Sequence, residues 1–286
     1  MDLSVVIPAK NSAADLGAQL DALLDQAWSG EWEIVVADNA STDGTVALVA
    51  EYSRRDARVR FVDASGGHGA NFARTVGARA ACADHLAFAD SDDIVGPRWV
   101  ATMGDALRSH QVVTGPIEVD LLNPPWLTAV RGRLPVDRPR TQNGAFTLVA
   151  GGNVGIHRSV WESIGGFAED AFGGGEDLEF SLRLHAHGVA PHFAPDAILH
   201  YRYRSEPRAL FRQGRFYGRG KPLIGRLLHD AGLPGPSRLS GWKSWLTLFA
   251  WLPRLRTREG RAAWCWVAGS RLGQLEGIVH HRAFWL

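Results

Sequence analysis

His85 to Val95 reads H-L-A-F-A-D-S-D-D-I-V, a short apolar run that breaks into three carboxylates, Asp90, Asp92 and Asp93, within four residues. Like charges this close disfavour joint ionisation unless a cation or hydrogen-bond donors offset them. Hard divalent cations such as Mg2+ or Mn2+ are held by carboxylate oxygens and share their remaining positions with substrate phosphates. One reading is therefore a metal-assisted phosphate site at the carboxyl end of a strand. The other is an acidic turn that caps a helix starting near Pro97. Asp93 fits either the cap or the ion.

Working outward, Leu3 to Pro8 (L-S-V-V-I-P) and Glu33 to Asp38 (E-I-V-V-A-D) are apolar runs of the kind that form strands buried on both faces. Between them Leu16, Leu20, Leu23 and Leu24 recur at helical spacing. Val59 to Val62 predicts a third strand, and a glycine loop (Ser65 to Ala70) leads into a helix from about Ala70 to Ala83. Strand starts near 3, 33, 59 and 85 make parallel βαβ units, an α/β class with ligands at the carboxyl ends of the strands. A dinucleotide turn is excluded after the first strand, because Ala9-Lys10-Asn11-Ser12 has no glycine. The later glycine loop suits either a phosphate at a helix N-terminus or a tight turn.

Beyond Pro97 the pattern predicts a helix carrying Val100, Met103 and Leu107, then a strand from Val112 to Val119. Residues 120–145, with four prolines and several arginines, read as a long irregular segment of the kind that forms lids or substrate loops. Gly173, Gly174 and Gly175 bring backbone close to a neighbour just before Glu176 and Asp177, and Leu178, Leu182 and His185 continue as a helix.

The net charge of +1 hides a division. Residues 200–286 hold 16 Lys and Arg against 4 Asp and Glu, so +12, which leaves −11 for residues 1–199. Six of the 11 Trp also fall in the last fifth of the chain. Arg204, Arg208, Arg212, Arg215 and Arg219 share one helical face: either a solvated stripe against the acidic region, or a contact for a diphosphate or anionic lipid. Gly241 to Pro253 with the arginines that follow predicts either an interfacial hairpin on an anionic membrane or helices packed on the preceding domain. Cys82 and Cys265 have no metal-ligand spacing, and a reducing compartment is expected. Neither a leader peptide nor a bilayer-spanning run is expected, and the composition gives no reason to expect nucleic acid.

The order of the pieces resembles the family 2 glycosyltransferases of the GT-A fold. The match runs over about residues 3 to 200: S-V-V-I-P-A-K-N, V-A-D-N-A-S-T-D-G-T, A-D-S-D-D, G-G-N-V-G-I-H-R, I-G-G-F and G-G-G-E-D-L-E-F-S-L-R. The resemblance implies a Rossmann-like nucleotide-diphospho-sugar transferase fold. A catalytic domain would occupy residues 1–203, with a nucleotide-binding region over residues 1–119 and an acceptor region over residues 120–203, followed by a basic, Trp-rich helical extension over residues 204–286. It also implies an inverting, Mg2+- or Mn2+-dependent transfer from a nucleotide sugar, UDP by default, to a glycan or lipid-linked acceptor. The expected place is the cytoplasm, peripheral on the inner face of the membrane.

By the same resemblance Pro8 and Ala9 line the nucleotide pocket, Asp38 accepts from the base or ribose, and Arg74 stands where the family often has an Arg-Asn pair, here Arg74-Thr75. Asp90 contacts ribose or metal-bound water and Asp92 ligates the ion. Asp177 is the catalytic base and Glu176 its neighbour or an acceptor-orienting group. His200 is either a third metal ligand or structural. Gly152 and Asn153 touch the donor sugar or acceptor, or form a turn. A binding protein that lost turnover is the competing class, distinguished by product release. A nucleotidyltransferase would need glycines after the first strand.

Overall fold

The computed structural model describes residues 1–169, 173–236 and 241–284. Its central sheet is built from β1 (Leu3–Ala9), β2 (Trp32–Asp38), β3 (Val59–Asp63), β4 (His85–Ala89), β6 (Val112–Thr114), β8 (Asn153–His157) and β9 (His192–Phe193). Their order across the sheet is β3-β2-β1-β4-β8-β6-β9. The first four run parallel, and β8 lies antiparallel between β4 and β6. A smaller sheet joins β5 (Ile94–Val95), β10 (Leu199–His200) and β7 (Ile117–Glu118).

Every residue of β1 and β2 is buried, as their unbroken apolar runs require of strands covered on both faces. One face is covered by α1 (Leu16–Leu24), α2 (Thr45–Arg55) and α4 (Trp99–Leu107), the other by α3 (Ala70–Ala80), α6 (Arg158–Ser163) and α7 (Glu176–Ala186). Val100, Met103 and Leu107 pack into the core as their spacing predicts. The two polar intruders are matched: Ser4 Oγ donates to Glu33 Oε1 at 2.7 Å, the Cys82 amide donates to the same oxygen at 2.6 Å, and Arg60 pairs with the other.

Three predicted boundaries move. The strand expected over 112–119 divides at Gly115-Pro116, so β6 stays in the main sheet and β7 joins the smaller one. Gly115 is needed there because a Cβ would collide with the Ala197 carbonyl. The segment 120–145 contains α5 (Pro125–Arg131), started by Pro125 at its first turn. The helix expected to reach Ala83 ends at Ala80.

After β10 come α8 (Pro207–Asp230), α9 (Trp242–Ala250), a short 3-10 turn (Leu252–Arg256) and α10 (Arg258–His281). The α8 and α10 helices interlock through glycines. Gly214 and Gly218 of α8 lie against the Trp266 and Ser270 carbonyls, and Gly269, Gly273 and Gly277 of α10 lie against those of Phe211, Arg215 and Arg219. A Cβ at any of these five would strike backbone. Arg131 strengthens the join, its guanidinium 3.2 Å from the Trp266 ring centre and 5.3 Å from that of Tyr203. No helix among the described residues is long and apolar enough to cross a membrane.

Candidate active site

The carboxyl ends of β1, β2 and β4 open onto a cleft of about 730 Å³. Pro8 and Ala9 form its floor, Gly69 and Ala70 bring the start of α3 to one side, and Arg74, Asp90 and Asp92 line it from within. The opposite wall comes from the far end of the sequence: Tyr201, Arg204, Arg212, Gln213, Phe216 and Tyr217. A cut at 203/204 therefore separates the acid loop from the helix that faces it. Asn39 braces the glycine loop, its Oδ1 accepting from Gly69 N at 3.1 Å and its amide donating to Ala64 O and Gly67 O. Asp38 is buried and is not among the residues that line the cleft; Oδ2 accepts from the Ser41 amide, while Oδ1 has no partner among the described residues.

The acid loop is held from below by two glutamines that periodicity alone does not reveal. Buried Gln19 on α1 donates to the Asp90 carbonyl at 3.1 Å and accepts from the Val95 amide at 2.9 Å. Gln26, just beyond α1, spans the next step, donating to Gly96 O and accepting from Val100 N. Ser12 and Ser91 share a 2.8 Å hydroxyl bond. The three carboxylates then part. Asp90 receives the Arg74 guanidinium, Asp92 receives Arg204 at 2.7 Å, and Asp93 turns away and accepts from the Arg202 amide at 2.8 Å. Asp93 therefore neither caps α4 nor lines the cleft; it pins the strand exit that leads to α8.

Burial first, then the charge of Asp90, raises the pKa of Asp92, and burial with both neighbouring acids drives Asp93 well up. Asp90 and Asp92 offer oxygen donors only, the type a hard divalent cation takes, and each already holds a guanidinium. Among the described residues no group of three His, Cys, Asp or Glu gathers as a metal cluster. The structure does not bring His200 to Asp92: its Nδ1 meets Glu118 Oε2 at 2.7 Å, and it is not part of the cleft lining. Its place in β10, paired with β5 and β7, turns it to the smaller sheet.

The second acidic pole is joined to the first through Arg74. Asp177, in the first turn of α7, accepts from the Gly151 amide at 2.9 Å. Ser181 fixes that turn, donating to Asp177 O and accepting from Val149 N. A Cβ built on Gly151 would stand 2.9 Å from Asp177 Oδ1 and 3.3 Å from Arg74 Cζ, and one on Gly152 would stand 2.5 Å from Asp90 Oδ2. Two successive glycines thus let both carboxylates approach one guanidinium. Asp177 is walled by protein but keeps an open side to solvent. That enclosure raises its pKa, Arg74 and the Gly151 amide opposing, and Glu176 is raised likewise by burial. Tyr217 completes this pole: burial and then the Asp177 charge push its phenol up to about 12, so it is a neutral hydroxyl.

Two expected substrate contacts are corrected. Asn153 is fully buried and its side chain is used up: Oδ1 accepts from Trp99 Nε1 at 2.7 Å, and Nδ2 donates to Pro116 O and Ala197 O. It bolts β8 to α4 and the neighbouring loops. Gly152 is buried behind Asp90 and admits that carboxylate rather than a ligand. The arginine stripe also splits, and Arg204 lies before α8 rather than on its face. Arg204 and Arg212 face the cleft, whereas Arg215 and Arg219 both pair with Glu276 of α10 at 2.6 Å. Phe216 and Tyr217 enter the cleft unannounced, since an aromatic beside arginines in a helix carries no mark of what it faces.

The strand order 3-2-1-4 is that of doubly wound α/β sheets in general, and with an acid loop after the fourth strand the fold matches the GT-A architecture of the solved glycosyltransferases described below. The chain belongs to glycosyl transferase family 2: the family model matches residues 4–165, and a second, for glycosyl transferase family group 2, matches 85–271. It is similar to the validoxylamine A glucosyltransferase of Streptomyces hygroscopicus subsp. jinggangensis, 34% identical over 223 residues, covering 65% of this chain and 52% of that one. It also resembles an Escherichia coli UDP-Glc:alpha-D-GlcNAc-diphosphoundecaprenol beta-1,3-glucosyltransferase, 32% identical over 99 residues, covering 35% of this chain and 36% of that one. The chain spans about half the length of the first of these.

In fold it is similar to a mannosyltransferase from Pyrobaculum calidifontis in complex with GDP-Man and Mn2+, with a TM-score of 0.60 at 17% identity over 95% of this chain and 86% of that one. Residues 1–349 of TarS from S. aureus, in complex with UDP-GlcNAc, give the same TM-score and identity over 100% and 93%.

Proposed function

We propose that the chain transfers a sugar from a nucleoside-diphosphate sugar to an acceptor hydroxyl with inversion at the anomeric carbon. The observation that carries this is the placement of Arg74, which is ion-paired with Asp90 in the cleft and feels the charge of Asp177, itself outside the cleft lining. It sets a leaving-group pole and a base pole on either side of one guanidinium.

The nucleoside end of the donor lies on Pro8 and Ala9, with Asp38, buried next to the cleft-lining Asn39, as the candidate acceptor for its base or ribose. The diphosphate lies toward the start of α3, Arg204 and Arg212, where amide dipoles and guanidinium groups neutralise it. A Mg2+ or Mn2+ ion held by Asp92 and Asp90 would supply Lewis-acid neutralisation of the departing diphosphate. Asp177 takes the proton of the acceptor hydroxyl as that oxygen forms its bond to the anomeric carbon and the bond to the diphosphate breaks. A carboxylate raised by enclosure is the better base for this step. Displacement from the face opposite the leaving group gives inversion. Glu176 and Tyr217 orient the acceptor, a glycan or lipid-linked hydroxyl, and UDP is the first nucleotide to try.

A thermal-shift panel of nucleoside diphosphates with and without Mn2+, followed by turnover of the matching sugar donors, tests the reading. Stabilisation by one nucleotide that grows with Mn2+ supports it. No stabilisation by any nucleotide under either condition refutes it, and stabilisation without turnover on any acceptor favours a binding protein.

A further inference from the structure

We propose that the outer faces of α9 and α10 form a docking surface for an anionic lipid bilayer, independent of the sugar-transfer reading. The α9 helix buries none of its residues. Trp242, Leu246 and Phe249 recur along it at helical spacing, and Phe249 and Leu246 are 71% and 58% exposed. Leu252 extends the row into the 3-10 turn. On α10 the glycine face is committed to α8, and the side away from it carries Leu272, Leu275 and Val279, all exposed. Seven large apolar side chains are thus left exposed on two neighbouring helices and the turn between them, a surface of the kind that marks an interaction site.

Charge identifies the occupant. Lys243, Arg254, Arg256, Arg258 and Arg261 fall in one short stretch that holds a single acid, Glu259. None of these five cations makes an ion pair among the described residues. A second copy meeting this face symmetrically would set like charges against like, whereas an anionic headgroup layer complements them. The composition is that of an interfacial element, with Trp and Leu for the acyl boundary and Arg for the phosphates. A helix of nine residues spans only about 14 Å and lies in the interface rather than crossing it.

The surface is coupled mechanically to the cleft. Trp264 Nε1 of α10 donates to the Leu248 carbonyl of α9 at 3.0 Å, and the glycine interlock fixes α10 on α8, which carries Arg212 and Tyr217. Docking would hold the cleft at a set height and tilt over the membrane, within reach of a lipid-linked acceptor.

The full chain is floated with vesicles of phosphatidylcholine alone and of phosphatidylcholine with phosphatidylglycerol, at low and high salt. The expected result is recovery with the anionic vesicles only, falling as salt rises. Leu246→Glu with Phe249→Glu, and separately Arg254→Glu with Arg256→Glu, should each lower partitioning by roughly tenfold or more. Both pairs should keep the wild-type unfolding midpoint and nucleotide-induced thermal shift, which separates this surface from the cleft. No flotation, equal recovery with neutral vesicles, or wild-type flotation by both variants overturns the proposal. So does light scattering that finds a dimer which Leu246→Glu disrupts, since the face would then be a contact between copies.

Discussion

Arg204 Nη2 stands 2.7 Å from Asp92 Oδ2, an ion pair that carries the segment before α8 onto the acid loop of β4. The two side chains are 50% and 26% exposed, so solvent screens the pair and its contribution to stability is small. Its weight falls on the ligand: a guanidinium beside the carboxylate proposed to hold the metal is placed to take a diphosphate oxygen. Arg204→Ala should raise the donor KM about tenfold and shrink the nucleotide-induced thermal shift, with kcat less affected. Arg204→Lys should recover part of the loss. Unchanged donor kinetics would reduce Arg204 to a surface partner of Asp92.

Asp177→Asn should lower kcat by about 10²- to 10⁴-fold, the usual worth of a general base. Nucleotide binding should persist, because Asp177 stands at the other pole. Burial raises the Asp177 pKa, so the active, deprotonated form is lost as pH falls through a value above that of an ordinary aspartate. The acid limb of kcat/KM should lie there in the wild type. An unshifted limb retained in Asp177→Asn would assign the base elsewhere.

Gly152→Ala tests the close approach of Asp90 to β8. The new Cβ would sit 2.5 Å from Asp90 Oδ2, so the carboxylate or the strand must move. A loss of about 1–3 kcal/mol in stability is expected, together with a weaker Mn2+-dependent shift by nucleotide. Asn153→Ala should also destabilise, by stripping partners from the Trp99 indole and two carbonyls, but should leave the donor KM of the remaining folded protein unchanged.

Gly273→Leu should force α10 off α8, because the Arg215 carbonyl occupies the space beyond its Cα. The unfolding midpoint should drop by several degrees, at roughly 2–4 °C per kcal/mol for a chain of this order of size. Nucleotide binding should weaken in parallel, since α8 supplies one wall of the cleft. A destabilised variant with full nucleotide affinity would show that the wall does not depend on the interlock.

Glu33 couples stability to pH. Burial raises its pKa, but the Cys82 amide, Arg60 and Ser4 together outweigh that and hold it lower than the ordinary 4.5. A group depressed in the native state contributes stability above its unfolded pKa and loses it as pH falls through the native value. Glu33→Gln should cost about 1–3 kcal/mol at neutral pH and flatten the stability curve at acid pH. Denaturant titrations from pH 7 down to pH 3 would show the two curves converging.

The sheet is legible in the chain alone. Strand starts expected near 3, 33, 59 and 85 lie at 3, 32, 59 and 85, because strands buried on both faces must be apolar throughout and so announce themselves. Asp90 and Asp92 read as either a cation site or a helix cap, and Asp177 stands out through the family resemblance; the structure sets Asp90 and Asp177 near one guanidinium, that of Arg74. Packing settles the rest. Asn153 and His200 read in the sequence as either ligands or structural residues, and hydrogen bonds to residues 37 to 82 positions away decide for the structural role. Gln19 reads as one polar position on an amphipathic helix, yet it clamps the acid loop. The arginine stripe divides between cleft and α10 because a helix has one phase in sequence but several neighbours in space. Periodicity reports which face is apolar; only packing reports what stands opposite.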